Sequence, residues 1–435
     1  MKKTLALLLI LGAAFALTAQ LTPAPPQSES ILILGATAHL GTGSKIAGAA
    51  VGITGGKITL ITSESNAKRG EWDRVIDAKG KHVYPGFIAP NSTLGLQEIG
   101  AVRATRDQYE VGTFKPNVRA LIAFNTDSEI TPTVRSNGVL MGQITPRGGV
   151  ISGSSSVMHF DGWNWEDAVI HADDGIHLNW PRMYHIHSDG EKNTIAKRKT
   201  YDQQKREIED FFGRAQAYGK TTPTETDVKM EAMQGLFDGS ATLYVHAQDA
   251  KQISEAVHFK KAWGITNMAI VGGYDSHLVA DLLRDNNVAV MVRRVHQVPR
   301  YEEDDVDLPF KLPKLLSDEG VTFCLENSGD MEQMGTRNLP FYAGTAKAYG
   351  LTYEQAVQSI TLSPAKILGI DAMYGSLEIG KSATLFISDG DALDMMTNNV
   401  TTAFIDGREI DLDNHQKELY RKYKAKYDAQ KATKQ

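Results

Sequence analysis

The sequence predicts an α/β protein built on a (β/α)8 barrel of the TIM type. Helix-to-strand joints recur along the middle of the chain. Ser136-Asn137-Gly138 precedes the apolar run 139–145, Trp263-Gly264 precedes 265–271, Asn286-Asn287 precedes 288–292, and Glu319-Gly320 precedes 321–325. Each joint sets Gly or Asn where a helix needs a left-handed cap, then an apolar run suited to a buried parallel strand. The second observation is length: 435 residues hold one large barrel and a smaller unit. An open doubly wound sheet is the alternative, but no glycine fingerprint follows an early strand.

Taken in order, residues 1–19 read as a secretory signal. Lys2 and Lys3 lead an apolar core over 5–17, followed by small residues ending near Ala16 or Ala19. Export is the expectation, to the periplasm where the host has one. Residues 20–30 form a proline-rich lead, disordered or extended. Strand-like runs follow at 31–34, 50–54 and 57–61, with Gly55-Gly56 as a hairpin turn. Helices are predicted at 202–217, with Ile208, Phe211, Phe212 and Ala215 on one face, and at 249–262, 276–285 and 353–360. A second strand-like cluster occupies 375–391 and 400–411. Residues 413–435 read as a basic C-terminal helix carrying Leu419, Tyr420, Tyr423 and Tyr427 at helical spacing.

Composition excludes some functions. A formal charge of −6 gives no electrostatic reason to bind nucleic acid or an anionic membrane. No run after the signal is apolar and long enough to span a bilayer. Cys324 is the sole cysteine, so no intrachain disulfide forms, and its apolar neighbours make it a buried strand residue. There is no Gly-x-Ser-x-Gly elbow and no Walker loop.

The stretch Tyr84-Pro85-Gly86-Phe87-Ile88-Ala89-Pro90-Asn91-Ser92-Thr93 resembles the first barrel strand of the amidohydrolase superfamily, especially its imidazolonepropionase-like group. There, Pro-Gly-hydrophobic-Ile-Asp leads into a His-x-His metal pair. Here the Asp position is Ala89 and the His positions are Asn91 and Thr93. The resemblance runs from about residue 31 to 410 and includes the Gly375-x-Leu377-x-x-Gly380-Lys381-x-Ala383 phrase and the 361–369 helix, Thr-Leu-Ser-Pro-Ala-Lys-Ile-Leu-Gly. It implies a barrel over 85–370 beside a small β-sandwich built from 31–84 and 371–412.

The resemblance also implies a ligand set. His246 matches the fifth-strand His. Gly272 stands where the sixth strand carries His, and Asn327 stands at or near the eighth-strand Asp, with Glu326 on the opposite side of a regular strand. His159 falls at the position of a fourth-strand Lys and is the second candidate metal ligand. His185-Ile186-His187, near Asp173, Asp174 and Asp189, has ligand spacing but reads as loop histidines. Trp163 and Trp165 are candidate substrate-packing aromatics. Arg103, Arg106 and Arg119 are candidate carboxylate holders, with surface ion pairing as the plainer reading.

Two functions follow. The first is hydrolysis of C–N bonds in cyclic amides or small peptide-like substrates, with an altered site holding one divalent metal, zinc or manganese, on His246 and His159. The second is a catalytically silent homologue without metal, a binding protein or the non-catalytic subunit of an intact paralogous amidohydrolase. The partners expected are a small-molecule substrate and a second copy or that paralogue.

Overall fold

The computed structural model describes residues 22–188, 193–221 and 224–432, with backbone alone at 185–188 and 193–195. The proposed signal lies outside the described residues. The chain opens with β1 (Ile31–His39), β2 (Lys45–Thr54), β3 (Lys57–Ser63), β4 (Arg74–Asp77) and β5 (His82–Pro85). Gly55 and Gly56 take φ of 57° and 78°, which lets β2 return as β3. There follow β6 (Phe87–Ser92), β7 (Val139–Ile144), β8 (Ile151–His159) and β9 (Val169–Asn179). After a hairpin of β10 (Tyr184–Ser188) and β11 (Asn193–Lys197) come β12 (Thr242–Ala247), β13 (Met268–Gly272), β14 (Ala289–Val292) and β15 (Phe323–Leu325). The last strands are β16 (Leu385–Ser388), β17 (Val400–Ile405) and β18 (Arg408–Glu409).

Eight strands form a nearly closed barrel in the order β6-β7-β8-β9-β12-β13-β14-β15. Its seam is bridged by the chain at 359–360. Leu325 N–H donates to the Ser359 carbonyl (3.1 Å) and Ile88 N–H to the Ile360 carbonyl (2.9 Å). Inside lie Ile88, Met141, Val157, Tyr244, Val271, Met291 and Cys324. The alternate residues Leu243, Val245 and Ile270 pack outward against the helices.

The barrel departs from the all-parallel form at β8, which runs antiparallel to both β7 and β9. No helix intervenes between β7 and β8. Pro146 cannot continue a ladder, and Gly148 and Gly149 take φ of 82° and 74°. A Cβ on Gly149 would lie 2.7 Å from the Thr113 carbonyl, so a bulkier residue could not make this reversal.

The helix at Tyr201–Gly219 buries Ile208, Phe211, Phe212 and Ala215, each large side chain contributing roughly 1.5–3 kcal/mol. Asp249 and Gln252 form a capping box at the start of Ala250–Trp263, and Gly264, at φ 66°, ends it. The predicted 276–285 helix begins as a 3-10 turn, Ser276–Val279, before Ala280–Asp285. Tyr353–Gln358 is capped by Thr352.

Strands from both chain ends join by hydrogen bonds into one eight-stranded sheet, β18-β17-β16-β5-β1-β2-β3, with β4 beside β1. Ile33, Val51, Val83, Leu385 and Phe404 are buried in one apolar cluster. Leu32, Leu34 and Ala50 form another, against Trp72. Residues 22–30 are extended and tethered. The Arg408 guanidinium donates to the Ala24 carbonyl (3.0 Å), and Ala24 N–H donates to Asp161 (3.1 Å). Among the described residues no helix is long and apolar enough to cross a membrane.

Candidate functional site

Parallel barrel strands end at one mouth, where side chains from separate strands meet. β12 brings His246 there, level with Asn179 on β9 and Val271 on β13. On β9, Ile176 and Leu178 pack outward, so His177 points inward. The two imidazoles meet, with His177 Nδ1 2.9 Å from His246 Nε2. His177 also stacks on Tyr244, centroids 4.8 Å apart. Burial, then the Arg147 charge, brings the His246 pKa down to about 3. Burial, His246 and Arg147 also hold His177 well below the ordinary range. Both rings are neutral at pH 7.

His177 belongs to a group of five histidines between 159 and 187 that reads from the sequence as a loop, because Asp173-Asp174-Gly175 disguises its strand; it is instead a buried residue of β9. Asp174 is buried yet accepts hydrogen bonds from Gln143 Nε2, Ser155 Oγ and the Tyr244 hydroxyl, each 2.7 Å. Burial pushes its carboxyl above the ordinary range, and the three donors pull against that shift. Gly175 makes room for Tyr244, whose ring would lie 2.4 Å from a Cβ there. The readable signal was short: Ile176 and Leu178 flanking His177 with period two.

The first-strand positions hold an arginine's anchor instead of imidazoles. Asn91, at φ 51°, takes the Arg147 guanidinium on its side-chain oxygen (2.9 Å) and on its carbonyl (2.8 Å). The same guanidinium pairs with Glu332 at 2.9 Å, which ties the end of β6 to the loop after β15. Behind it, buried Lys115 donates to the carbonyls of Glu110 (2.9 Å) and Arg147 (3.3 Å). Asn91 Nδ2, Thr93 Oγ1, Thr145 Oγ1 and His177 Nε2 are buried and make no hydrogen bond with any described residue. Each such atom costs about 1–3 kcal/mol unless water or a ligand meets it.

On the sixth strand Gly272 has φ 101°, and a Cβ would fall 1.8 Å from Gln248 Nε2. The space of a side chain is therefore taken by Gln248. The eighth-strand expectation needs correction. Cys324 faces the interior and Leu325 the outer layer, so Glu326, two residues on, is the inward group. It accepts from the Ser328 N–H and hydroxyl, and burial raises its carboxyl pKa. Asn327 turns away, accepting from Tyr342 (2.6 Å) and donating to the Glu332 carbonyl (2.7 Å).

His159 is not brought to this group. It ends antiparallel β8, level with Met141, whereas Ile151 at the opposite end of β8 pairs with Leu178. Eight residues of strand, roughly 25 Å, separate His159 from the mouth. It pairs instead with Asp406 (3.0 Å). Trp163 and Trp165 follow β8 and lie toward the same far end. Trp163 is exposed, and Trp165 begins a short helix whose Asn164 cap accepts from Asp167 N–H. Arg103 and Arg106 are exposed in the β6–β7 connection, Arg106 over the Tyr109 ring at 5.4 Å. Arg119 pairs with Asp173 at 2.6 Å. His185 and His187 lie on β10 with their side chains outside the described residues.

These residues do not fit the metal centre of the superfamily. The histidine pair is bonded to itself, Gly272 offers no donor, the Glu326 oxygens are used by Ser328, and a guanidinium occupies Asn91. Among the described residues no group of three or more His, Cys, Asp or Glu converges as a cation site.

Comparison with known proteins agrees with the architecture. The chain superposes on the crystal structure of an amidohydrolase from Thermotoga maritima MSB8 with a TM-score of 0.75, at 25% identity, over 88% of this chain and 99% of that one. A Xaa-Pro dipeptidase with bound methionine shares the fold at TM-score 0.54 and 14% identity, over 88% of this chain and all of that one. Amidohydrolase tasK of Hapsidospora irregularis is 22% identical over 379 residues, which is 78% of this chain but 37% of that protein. The model of the amidohydrolase family matches residues 176–410. With that match covering more than half its length, the chain belongs to the amidohydrolase family.

Proposed function

We propose that this chain is a non-hydrolytic member of its family, which binds a small amide- or carboxylate-bearing molecule and works beside an intact paralogue. The carrying observation is the Arg147 guanidinium fixed between Asn91 and Glu332. A dication about 4 Å from it would meet repulsion on the order of 8 kcal/mol at an effective dielectric of 20. Without metal, water keeps its high pKa and needs a strong base. His246, at about 3, is too weak to take that proton near pH 7. The unsatisfied Asn91, Thr93, Thr145 and His177 atoms support ligand binding at the mouth. Residues 1–19 support an exported, periplasmic setting, and the reach of tasK well beyond the matched region leaves room for further units in that relative.

A second reading keeps C–N bond hydrolysis with one zinc or manganese on His177 and His246. The names of the relatives favour that reaction class, and the unpaired His177 Nε2 favours those ligands. Assay of the full chain, with and without zinc or manganese, on hydantoins, lactams and Xaa-Pro dipeptides separates the two. The proposal expects no turnover and a raised Tm with at least one of these molecules. Metal-dependent turnover abolished by His246→Ala would establish the second reading instead.

A further inference from the structure

The helix His415–Ala432 has no buried residue. Its first turns hold it to the body through Gln416, which accepts from Thr133 (2.8 Å), Lys417 Nζ on the Leu412 carbonyl (2.8 Å), and Arg421 on Asp413 (2.6 Å). Beyond them Tyr420, Tyr423 and Tyr427 form a stripe, each at least half exposed. Their spacing of three and four residues puts them on one helical face. Six Lys or Arg against two Asp or Glu give the helix a charge of +4, on a chain whose total is −6. A basic helix with an aromatic stripe left in water is a surface awaiting a partner.

The complement is present on the same chain. Residues 298–307, in the loop that follows β14, contain Glu302, Glu303, Asp304, Asp305 and Asp307 against one Arg300, a charge of −4. Val298 and Val306 are 81% and 77% exposed there. Asp305 and Asp307 pair with Lys311, and Asp304 accepts from Tyr274. Glu302 and Glu303 are exposed and make no ion pair with any described residue. Apolar side chains within an acidic loop match tyrosines within a basic helix in both charge and chemistry.

We infer that the C-terminal helix of one copy docks on the 298–307 loop of a second copy, and the second copy reciprocates. Reciprocal docking makes a closed two-fold pair, so the same two patches are satisfied twice. With these exposures, each stripe of three tyrosines can bury roughly 250–420 Å² more on docking. Helix-on-helix pairing is disfavoured because both helices carry +4. The inference does not depend on whether the barrel hydrolyses anything.

The test is sedimentation equilibrium of the full chain and two variants, Lys422→Glu/Lys424→Glu/Lys426→Glu and Glu302→Lys/Glu303→Lys. Circular dichroism checks that both remain folded. The wild type should dimerise, more weakly as salt rises past ~0.15 M. Each variant alone should lose at least about tenfold in dimer affinity. An equimolar mixture should regain the dimer, because each acidic helix then meets a loop whose charge has gone from −4 to zero with lysines at 302 and 303, and each basic helix meets an acidic loop. A monomeric wild type at low salt, or no rescue on mixing, overturns the inference. So does a monomer whose helix binds phosphatidylglycerol vesicles independently of Glu302 and Glu303.

Discussion

His177 Nδ1 and His246 Nε2 lie 2.9 Å apart across the β9–β12 ladder, each ring holding the other at the barrel mouth. Neither ring is charged, because burial and Arg147 oppose protonation. The unfolded chain takes up protons near pH 6.5 that the folded pair refuses. Stability contributed by the pair is therefore complete above pH 6.5 and is lost as pH falls from there toward 3. The loss approaches ~1.4 kcal/mol per pH unit for each ring. Urea unfolding at successive pH values should show this slope, and His246→Gln should reduce it by about one proton.

Arg147 is the cation around which the mouth is arranged. Arg147→Gln leaves Glu332 without its ion-pair partner and is expected to cost about 2–3 kcal/mol, just below the range for fully buried pairs. It also removes a positive charge that depresses His246, so the His246 pKa should rise. Chemical denaturation gives the first quantity and an NMR titration of the imidazole the second.

Gly272→Ala should cost about 1–3 kcal/mol from its φ of 101° alone, plus a contact with Gln248. Adding Gln248→Ala should recover the contact portion and leave the backbone portion. Full recovery in the double variant would show that crowding, not backbone conformation, requires glycine.

Asp174 accepts three donors inside the barrel. Asp174→Asn replaces one accepting oxygen by a donor and should destabilise the chain by about 2–4 kcal/mol. Tyr244→Phe deletes one of those donors and should cost less, about 1–2 kcal/mol. Equal costs for the two would contradict this placement of the charge.

Much of the barrel was legible because its strands are apolar runs after Gly or Asn caps, as at Gly264 and Gly320. Pro85-Gly86 marked β6 through the resemblance to the amidohydrolase first strand. The remainder depended on contacts between distant segments. β9 was hidden because Asp174 is tolerated only through donors on β7, β8 and β12. The reversal at Gly148-Gly149 turned β8 around and carried His159 to the wrong end of the barrel. Glu326 and Asn327 exchanged faces because the alternation of β15 is set by Cys324 and Leu325, which sequence alone left unassigned. Arg147 drew no attention, since its partners lie 56 and 185 residues away.

The proposed reading puts an arginine clasp, Arg147 on Asn91 and Glu332, in place of a metal centre. Elemental analysis of the purified full chain after zinc and manganese loading tests it most directly, beside a His177→Ala/His246→Ala variant. The same low metal content is expected in both proteins. One zinc per chain in the wild type, absent from the double variant, would contradict it.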